Sequence, residues 1–156
     1  MTDTSQIQPA QAGKTILIAG AFALLAFDFF GQALSPALGY AKLAPVGLAN
    51  SSIKAVFGAT WRPGGELLHY FAGLIAYPLG AYIVELLRRQ FLPQVPWLAT
   101  SAVYGVVLWV FALYGTAHLI AGMKPFLGFT GITWVAFWGH VLFGVVATWV
   151  IQMRDR

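Results

Sequence analysis

The stretch TILIAGAFALLAFDFFGQALSPAL, residues Thr15 to Leu38, decides the fold of this chain. It is almost entirely apolar and contains one charged residue, Asp28. At about 1.5 Å per residue, a helix of this length crosses the roughly 30 Å hydrocarbon core of a bilayer. The stretch is too long for the apolar core of a secretory signal, and Lys14 is the single basic residue before it. We therefore expect a retained transmembrane helix.

The composition of the whole chain extends this interpretation. It is 59% hydrophobic and 9% charged, with a mean hydropathy of +0.74, whereas soluble domains are about 45–50% apolar and about 25% charged. Further apolar stretches of spanning length cover residues 66–87, 96–120 and 131–153. The sequence predicts an all-α integral membrane bundle of four transmembrane helices in a single domain, residues 15–153. Because the chain has no cysteine, disulfides and thiolate metal sites are excluded.

Two segments lie outside the predicted spans. Residues 1–14 are mostly polar, and we predict a mobile N-terminal lead. Residues 39–63 form the one long connection, and within it four apolar residues recur at helical spacing: Ile53, Val56, Phe57 and Trp61. This spacing fits a short amphipathic helix over residues 53–61 at the membrane surface, and a plain loop fits as well.

A short internal similarity links the exits of the first and third spans. FGQALSPALGY (Phe30–Tyr40) and YGTAHLIAGMKPFLGF (Tyr114–Phe129) share an aromatic-Gly-x-Ala start and a Pro-x-Leu-Gly-aromatic end. The span that follows each of them carries H-x-x-x-G. This pattern predicts a tandem two-helix repeat related by a pseudo-twofold axis along the membrane normal. A chance match between two short stretches is the alternative.

Lysine and arginine near the span ends bear on orientation. With a cytoplasmic N-terminus, the cytoplasmic side carries Lys14, Arg88, Arg89, Arg154 and Arg156, and the other side carries Lys42, Lys54, Arg62 and Lys124. The arginines at the ends of the second and fourth spans favour a multi-pass topology with both termini cytoplasmic. The net charge of +4 suits anionic lipid head groups. No basic stripe indicates a nucleic-acid partner.

Every histidine in the chain is followed by a glycine four residues later. The three pairs are His69 with Gly73, His118 with Gly122 and His140 with Gly144. Positions i and i+4 share a helix face, and glycine there lets a neighbouring helix or a flat ligand approach the backbone. We predict a helix-packing motif. The alternatives are simple bundle stabilisation, in which histidine acts as hydrogen-bonding glue, and a functional site.

Asp28 is the most unusual residue of the predicted spans. An unpaired carboxylate at mid-bilayer costs about 2.5–3.5 kcal/mol, so Asp28 should face the interior with a partner. Counting residues from the span ends places His140 at a similar depth. We predict that Asp28 and His140 form a proton or ligand site, with a further hydrogen bond from Gln32 or Thr148. Glu85, near Arg88, is predicted as an interfacial charge with a local partner.

His69 and His118 provide an alternative based on haem. Both lie near the same end of their predicted spans, so they should meet across one layer, and two imidazoles at one depth are the ligands that a b-type haem needs. Two observations argue against haem: the third histidine would be left without a role, and the sequence offers no polar or basic cluster for the propionates beyond Lys42, Arg62 and Lys124. We expect no other metal site. Hydrolase motifs are absent from the sequence, which argues against an enzyme.

Two stretches carry a resemblance to a known family. GELLHYFAGLIAYPLGAY (Gly65–Tyr82) and WGHVLFGVVATWV (Trp138–Val150) resemble the second and fourth spans of small four-span bacterial inner-membrane proteins related to YagU. The resemblance implies the four-helix architecture and an inner-membrane location, and it implies no particular biochemical activity. The chain departs from the pattern by its HLIAG stretch (His118–Gly122) and by its long first connection.

These observations lead to two expectations for function. The first is a non-catalytic accessory or structural subunit that packs in a larger membrane complex or homo-oligomer, because the aromatic faces exceed what a lone bundle can bury. The second is a b-haem electron-transfer, proton-relay or transport protein, whose working residues would be Asp28, His69, His118 and His140. The bilayer is a partner in both cases.

Overall fold

The structure, a computed structural model, describes residues 9–155 apart from the side chains of Pro9 and Arg62. The described residues form no strand. Four helices are long and apolar enough to span a membrane, and a shorter helix connects the first two of them: α1 (Ala10–Ala37), α2 (Pro45–Phe57), α3 (Pro63–Phe91), α4 (Trp97–Ile120) and α5 (Gly131–Arg154). The prediction of an all-α bundle with four spanning helices is confirmed, and the chain is a multi-pass membrane protein.

The spanning helices alternate in direction, so the bundle has two distinct ends. The terminal end holds the start of α1 and the end of α5, where Arg154 Nε donates to Thr15 Oγ1 at 3.4 Å. The far end holds the end of α1, the helix α2 and the start of α5. The connections after α1 and α4 differ. Helix α2 follows α1, whereas a short 3-10 turn, Pro125–Phe129, follows α4. The predicted two-helix repeat therefore stays a prediction.

The helices extend beyond the predicted spans. Helix α1 begins at Ala10, so residues 10–14 are helical. Residues 1–8 lie outside the described part of the chain, and the mobile N-terminal lead over residues 1–14 stays a prediction. Helix α3 runs from Pro63 to Phe91, whereas residues 66–87 were predicted. An apolar run locates the hydrocarbon-embedded part of a helix, but helical hydrogen bonding continues among polar head groups. The spans are therefore longer than their apolar cores.

The long connection is largely helical, at a position that differs from the prediction. Helix α2 covers Pro45–Phe57, not residues 53–61. Pro45 occupies its first turn, where proline is well tolerated, and Gly58 ends it in a left-handed conformation with φ 76°. The apolar spacing continued past Gly58 into Trp61, but the helix does not, because the left-handed glycine terminates it. Helix α2 packs against the start of α3 and the end of α4.

Three of the spanning helices widen into π-helical segments. These segments are Phe29–Leu34 in α1, Ala72–Ala76 in α3 and Phe111–Ile120 in α4. All three lie in the half of the bundle towards the far end. A π segment shifts the side chains that follow it out of the 3.6-residue register, and such segments occur frequently at functional sites. The spanning helices are therefore irregular in the far-end half of the bundle and are regular α-helices in the terminal half.

Glycine brings helix backbones into direct contact in the terminal half. A Cβ atom on Gly105 of α4 would lie 2.5 Å from the carbonyl oxygen of His140, and a Cβ atom on Gly144 of α5 would lie 2.5 Å from the carbonyl oxygen of Ser101. Gly20 of α1 lies equally close to the backbone of Leu74 in α3. Such contacts stabilise helix association in lipid, where exclusion of water contributes nothing.

A buried ion cluster joins α3 and α5 at the terminal end. The side chain of Glu85 is 1% exposed. It accepts hydrogen bonds from Arg88 Nε and Nη2 at 2.8 Å each, from Arg89 Nε at 2.6 Å and from the amide of Gln152 in α5. Arg89 also contacts Asp155 at 3.2 Å. Glu85 has the local partners that were predicted. It is buried rather than interfacial, and two arginines and an amide satisfy its carboxylate there.

Candidate functional site

Asp28 and His69 form a polar pair between α1 and α3. Asp28 directly precedes the π segment of α1, and His69 lies three residues before that of α3. His69 Nε2 is 3.2 Å from both carboxylate oxygens of Asp28. The amide of Gln32 donates to Asp28 Oδ1 at 2.7 Å. The carboxylate thus faces a neighbouring helix and has two donors.

His140, the predicted partner of Asp28, is not its partner. Its Nδ1 donates to the carbonyl oxygen of Ala136 on the same helix at 2.7 Å, and its ring lies edge-on to Phe27 with the centroids 5.0 Å apart. Part of the error is that α3 begins at Pro63 rather than at residue 66, which places His69 about 4.5 Å deeper than predicted. The rest is the direction of the side chains. The ring of His140 turns to Ala136 and Phe27, whereas the ring of His69 points to Asp28 on α1.

A cavity of about 780 Å³ occupies the far-end half of the bundle. Its walls come from the π segments of α3 and α4, from one side of α2 and from the first half of α5. His69 and His140 both line it, from different helices. Four hydroxyl side chains also line it, and they are Ser52, Tyr77, Thr116 and Thr130. The volume is typical of small-molecule sites, which measure about 300–1,000 Å³.

His118 lies apart from this arrangement. Its Nδ1 donates to the carbonyl oxygen of Met123 at 2.8 Å, just beyond the end of α4. His69 lines the cavity but His118 does not, and the structure records no hydrogen bond between the two rings. Because the predicted haem ligands do not line one cavity, the arrangement gives the haem alternative no support.

The three glycines of the H-x-x-x-G pattern have different surroundings. Gly144 packs against the backbone of α4, and a Cβ atom on Gly73 would lie 2.6 Å from the side chain of Leu24 on α1. Gly122 has no heavy atom near its Cβ position and adopts a left-handed conformation with φ 69°. Gly122 therefore ends α4, and the packing role predicted for it is wrong. The three histidine–glycine pairs therefore have the same spacing but not the same structural role.

The H-x-x-x-G pattern missed three residues of the packed interior, because it selects only glycines that follow a histidine. Gly20 and Gly105 make backbone contacts as close as that of Gly144, and the hydroxyl of Tyr104 donates to the carbonyl oxygen of Tyr77 at 2.6 Å. The Ser101-x-x-x-Gly105 spacing is a small-x-x-x-small signal and could have identified Gly105. No spacing rule points to the tyrosine contact, because it joins two helices.

Two further features bear on chemistry. Within residues 9–155, no group of three or more histidine, aspartate or glutamate side chains could hold a metal ion. A second cavity of about 390 Å³ lies between α3 and α4 near the terminal end, and it shares no lining residue with the first. Its only polar side chains are Thr100 and Tyr104. The larger cavity is therefore the one that combines volume with imidazole groups.

No protein-family model, no curated protein and no solved structure matches this chain. The resemblance to proteins related to YagU therefore stays a prediction. The function must be inferred from the arrangement of the chain's own residues.

Proposed function

We propose that the chain is a non-catalytic membrane protein that binds an apolar small molecule in the cavity between α2, α3, α4 and α5. The observation that carries this proposal is the cavity itself, whose lining is largely apolar and includes two imidazoles. Binding sites for small molecules are typically apolar cavities with a few convergent polar groups. The π segments support the proposal, since they widen the walls on the side where the cavity lies.

Filling the cavity should remove the bound molecule. Thr116 lines the cavity from α4 and is half-buried, so Thr116→Phe should place a ring in the cavity. We expect mass spectrometry of lipid extracts from the purified protein to find an apolar molecule in stoichiometric amount with the wild type, and about tenfold less of it with the variant, because the added ring occupies the space of the ligand.

The matched control for this experiment is Ala21→Phe. Ala21 is exposed on α1 and does not line the cavity, so the same ring added there should leave the bound molecule in place. Equal retention by Thr116→Phe and Ala21→Phe, or a wild-type protein that carries no apolar molecule, would contradict the proposal.

A second candidate function is that of an accessory subunit in a larger membrane assembly or homo-oligomer. Helix α5 carries three exposed tryptophans, which lie within about 60° of one another around the helix axis: Trp134, Trp138 and Trp149. Tryptophan is enriched at the buried centres of protein interfaces. After mild detergent extraction, we expect native mass spectrometry to show an assembly, and Trp138→Ala should increase the monomer fraction. A wild type that is strictly monomeric without partners would count against this candidate.

For the location, we propose the bacterial inner membrane with both termini in the cytoplasm. The terminal end carries Lys14, Arg88, Arg89 and Arg154 next to the ends of the spans. The far end carries Lys42, Lys54 and Lys124 on its connections and Arg62 directly before Pro63. Basic residues close to span ends favour the cytoplasmic side.

A further inference from the structure

We infer that the cavity selects uncharged lipids whose head group carries a hydroxyl, because His140 and His69 each present a hydrogen-bond acceptor to it. This inference rests on the proposed function and specifies the class of molecule that binds. It follows from the hydrogen bonds that the two rings already make, from the charge of the lining and from the volume of the cavity.

The tautomer of His140 is fixed by its own helix. The carbonyl oxygen of Ala136 can only accept, so Nδ1 of His140 carries the hydrogen of that 2.7 Å hydrogen bond. In a neutral ring, Nε2 is then an acceptor. Residue His140 is 7% exposed and lines the cavity. The Nδ1 edge of the ring is turned towards α5, the helix to which His140 belongs. Nε2 is therefore the nitrogen left to face the cavity, where a hydroxyl donor of a ligand would satisfy it.

The tautomer of His69 is fixed by Asp28. Nε2 of His69 lies 3.2 Å from both carboxylate oxygens of Asp28. Gln32 donates to the same carboxylate and helps to hold it. With the carboxylate as acceptor, we assign the hydrogen to Nε2 of His69 and a neutral ring, which makes Nδ1 an acceptor.

The charge of the lining argues for an uncharged ligand. No charged side chain occurs among the described residues that line the cavity, and Asp28 lies behind His69 rather than in the wall. A lipid with a carboxylate or phosphate head would meet two acceptor nitrogens and no described cation. A cationic head would have to lose its hydration in a largely apolar cavity. Only an uncharged head with a donor group fits both requirements.

The hydrocarbon part of the ligand has room in the same cavity. The remaining wall is mainly aliphatic and aromatic, and the volume of about 780 Å³ exceeds what a hydroxyl group and a few carbons occupy. We therefore assign a single long hydrocarbon chain with a hydroxyl head as the ligand class. Ser52, Tyr77, Thr116 and Thr130 add hydroxyls to the wall. Those of Ser52 and Thr130 already donate to backbone carbonyl oxygens, so towards a ligand they can only accept.

Four ligands that share one oleyl chain test the inference. Native mass spectrometry of the detergent-solubilised full chain would measure the affinities of oleyl alcohol, methyl oleate, oleic acid and oleylamine at neutral pH. We expect oleyl alcohol to bind about tenfold more tightly than methyl oleate, which can accept but not donate. Oleic acid and oleylamine, both ionised, should bind more weakly than the alcohol.

Removal of the two imidazole acceptors should abolish the preference for oleyl alcohol over methyl oleate, while both compounds should still bind. His140→Phe and His69→Phe keep a flat ring and remove the acceptor nitrogen, so each should reduce the alcohol-to-ester ratio to about threefold, and the double variant should bring it near one. The affinity for methyl oleate should stay within about twofold in all variants. That second measurement also shows that a variant is folded.

Asp28 has a positioning role in this scheme. In Asp28→Asn, the amide can donate to or accept from His69, so either ring nitrogen can carry the hydrogen and the alcohol-to-ester ratio should fall to an intermediate value. A purely structural role for Asp28 would change stability and leave the ratio unchanged.

The outcomes separate the inference from the proposed function. If all four oleyl compounds bind equally, or if the ester or the amine binds best, the inference is overturned while the proposed function stands. If no oleyl compound binds to the wild type, both are overturned. A preference for the alcohol that persists in the double histidine variant would also overturn the inference.

Discussion

Gly144→Ala should lower the free energy of unfolding by about 3 kcal/mol, the upper part of the range for overpacked sites. The added methyl group would lie 2.5 Å from the carbonyl oxygen of Ser101 and 3.0 Å from the backbone nitrogen of Gly105. Neither atom belongs to a flexible side chain, so α4 and α5 must separate along their contact. Unfolding in mixed detergent micelles, followed by circular dichroism, would measure the loss.

The same substitution at Gly13 is the matched control. Gly13 is exposed on α1, and no heavy atom lies within 4 Å of its Cβ position. Alanine is the better helix former by about 0.5–1 kcal/mol, so Gly13→Ala should be neutral or slightly stabilising. Gly73→Ala should fall between the two, because its nearest neighbour is the side chain of Leu24, which can move. Equal effects at Gly13 and Gly144 would refute the close-contact account of the bundle.

Glu85→Gln should cost about 3 kcal/mol, because it leaves two arginines beside a neutral group in a buried setting. The carboxylate of Glu85 accepts from Arg88, Arg89 and Gln152. An amide of similar shape keeps one acceptor oxygen and turns the other into an NH₂ donor that faces an arginine donor. The same detergent unfolding experiment applies. We expect the loss to appear as a lower midpoint with an unchanged slope, since the folded state stays compact.

Asp155→Asn is the control for the buried cluster. It removes a partner of Arg89 at 3.2 Å, but Asp155 is an exposed residue, and solvent-exposed ion pairs contribute less than about 1 kcal/mol. A large loss from Asp155→Asn together with a small one from Glu85→Gln would show that the outer ion pair, and not the buried cluster, holds α3 to α5.

The sequence predicts the spanning helices well because the bilayer imposes a single requirement. A helix that crosses the hydrocarbon core must be apolar over about 20 residues, and all four stretches meet this condition. Helix α2 is short, and its position depends on Pro45 at its start and Gly58 at its end. Apolar spacing suggested a helix in this connection at the wrong residues, because helix ends are set by backbone conformation rather than by the apolar pattern.

The site was predicted in part, and the error has a geometric origin. Asp28 was expected to face the interior with a partner, and it does so, but its partner is His69 rather than His140. A depth estimate counts residues from a helix end, so an error of three residues in the start of α3 moves a side chain by almost one turn. The π segments add a second difficulty, because a 3.6-residue pattern cannot reveal where a helix widens.

The bundle has a cavity in its far-end half and close helix contacts in its terminal half, and this difference limits the passage of a molecule along the bundle axis. Every residue that lines the larger cavity lies between the far end and the middle of the spanning helices. Beyond that level, Gly105 and Gly144 bring backbones into contact and Glu85 joins α3 to α5. Under the proposed function, a bound molecule would therefore enter and leave the cavity from the leaflet at the far end. The chain would then act as a reservoir that exchanges its ligand with that leaflet.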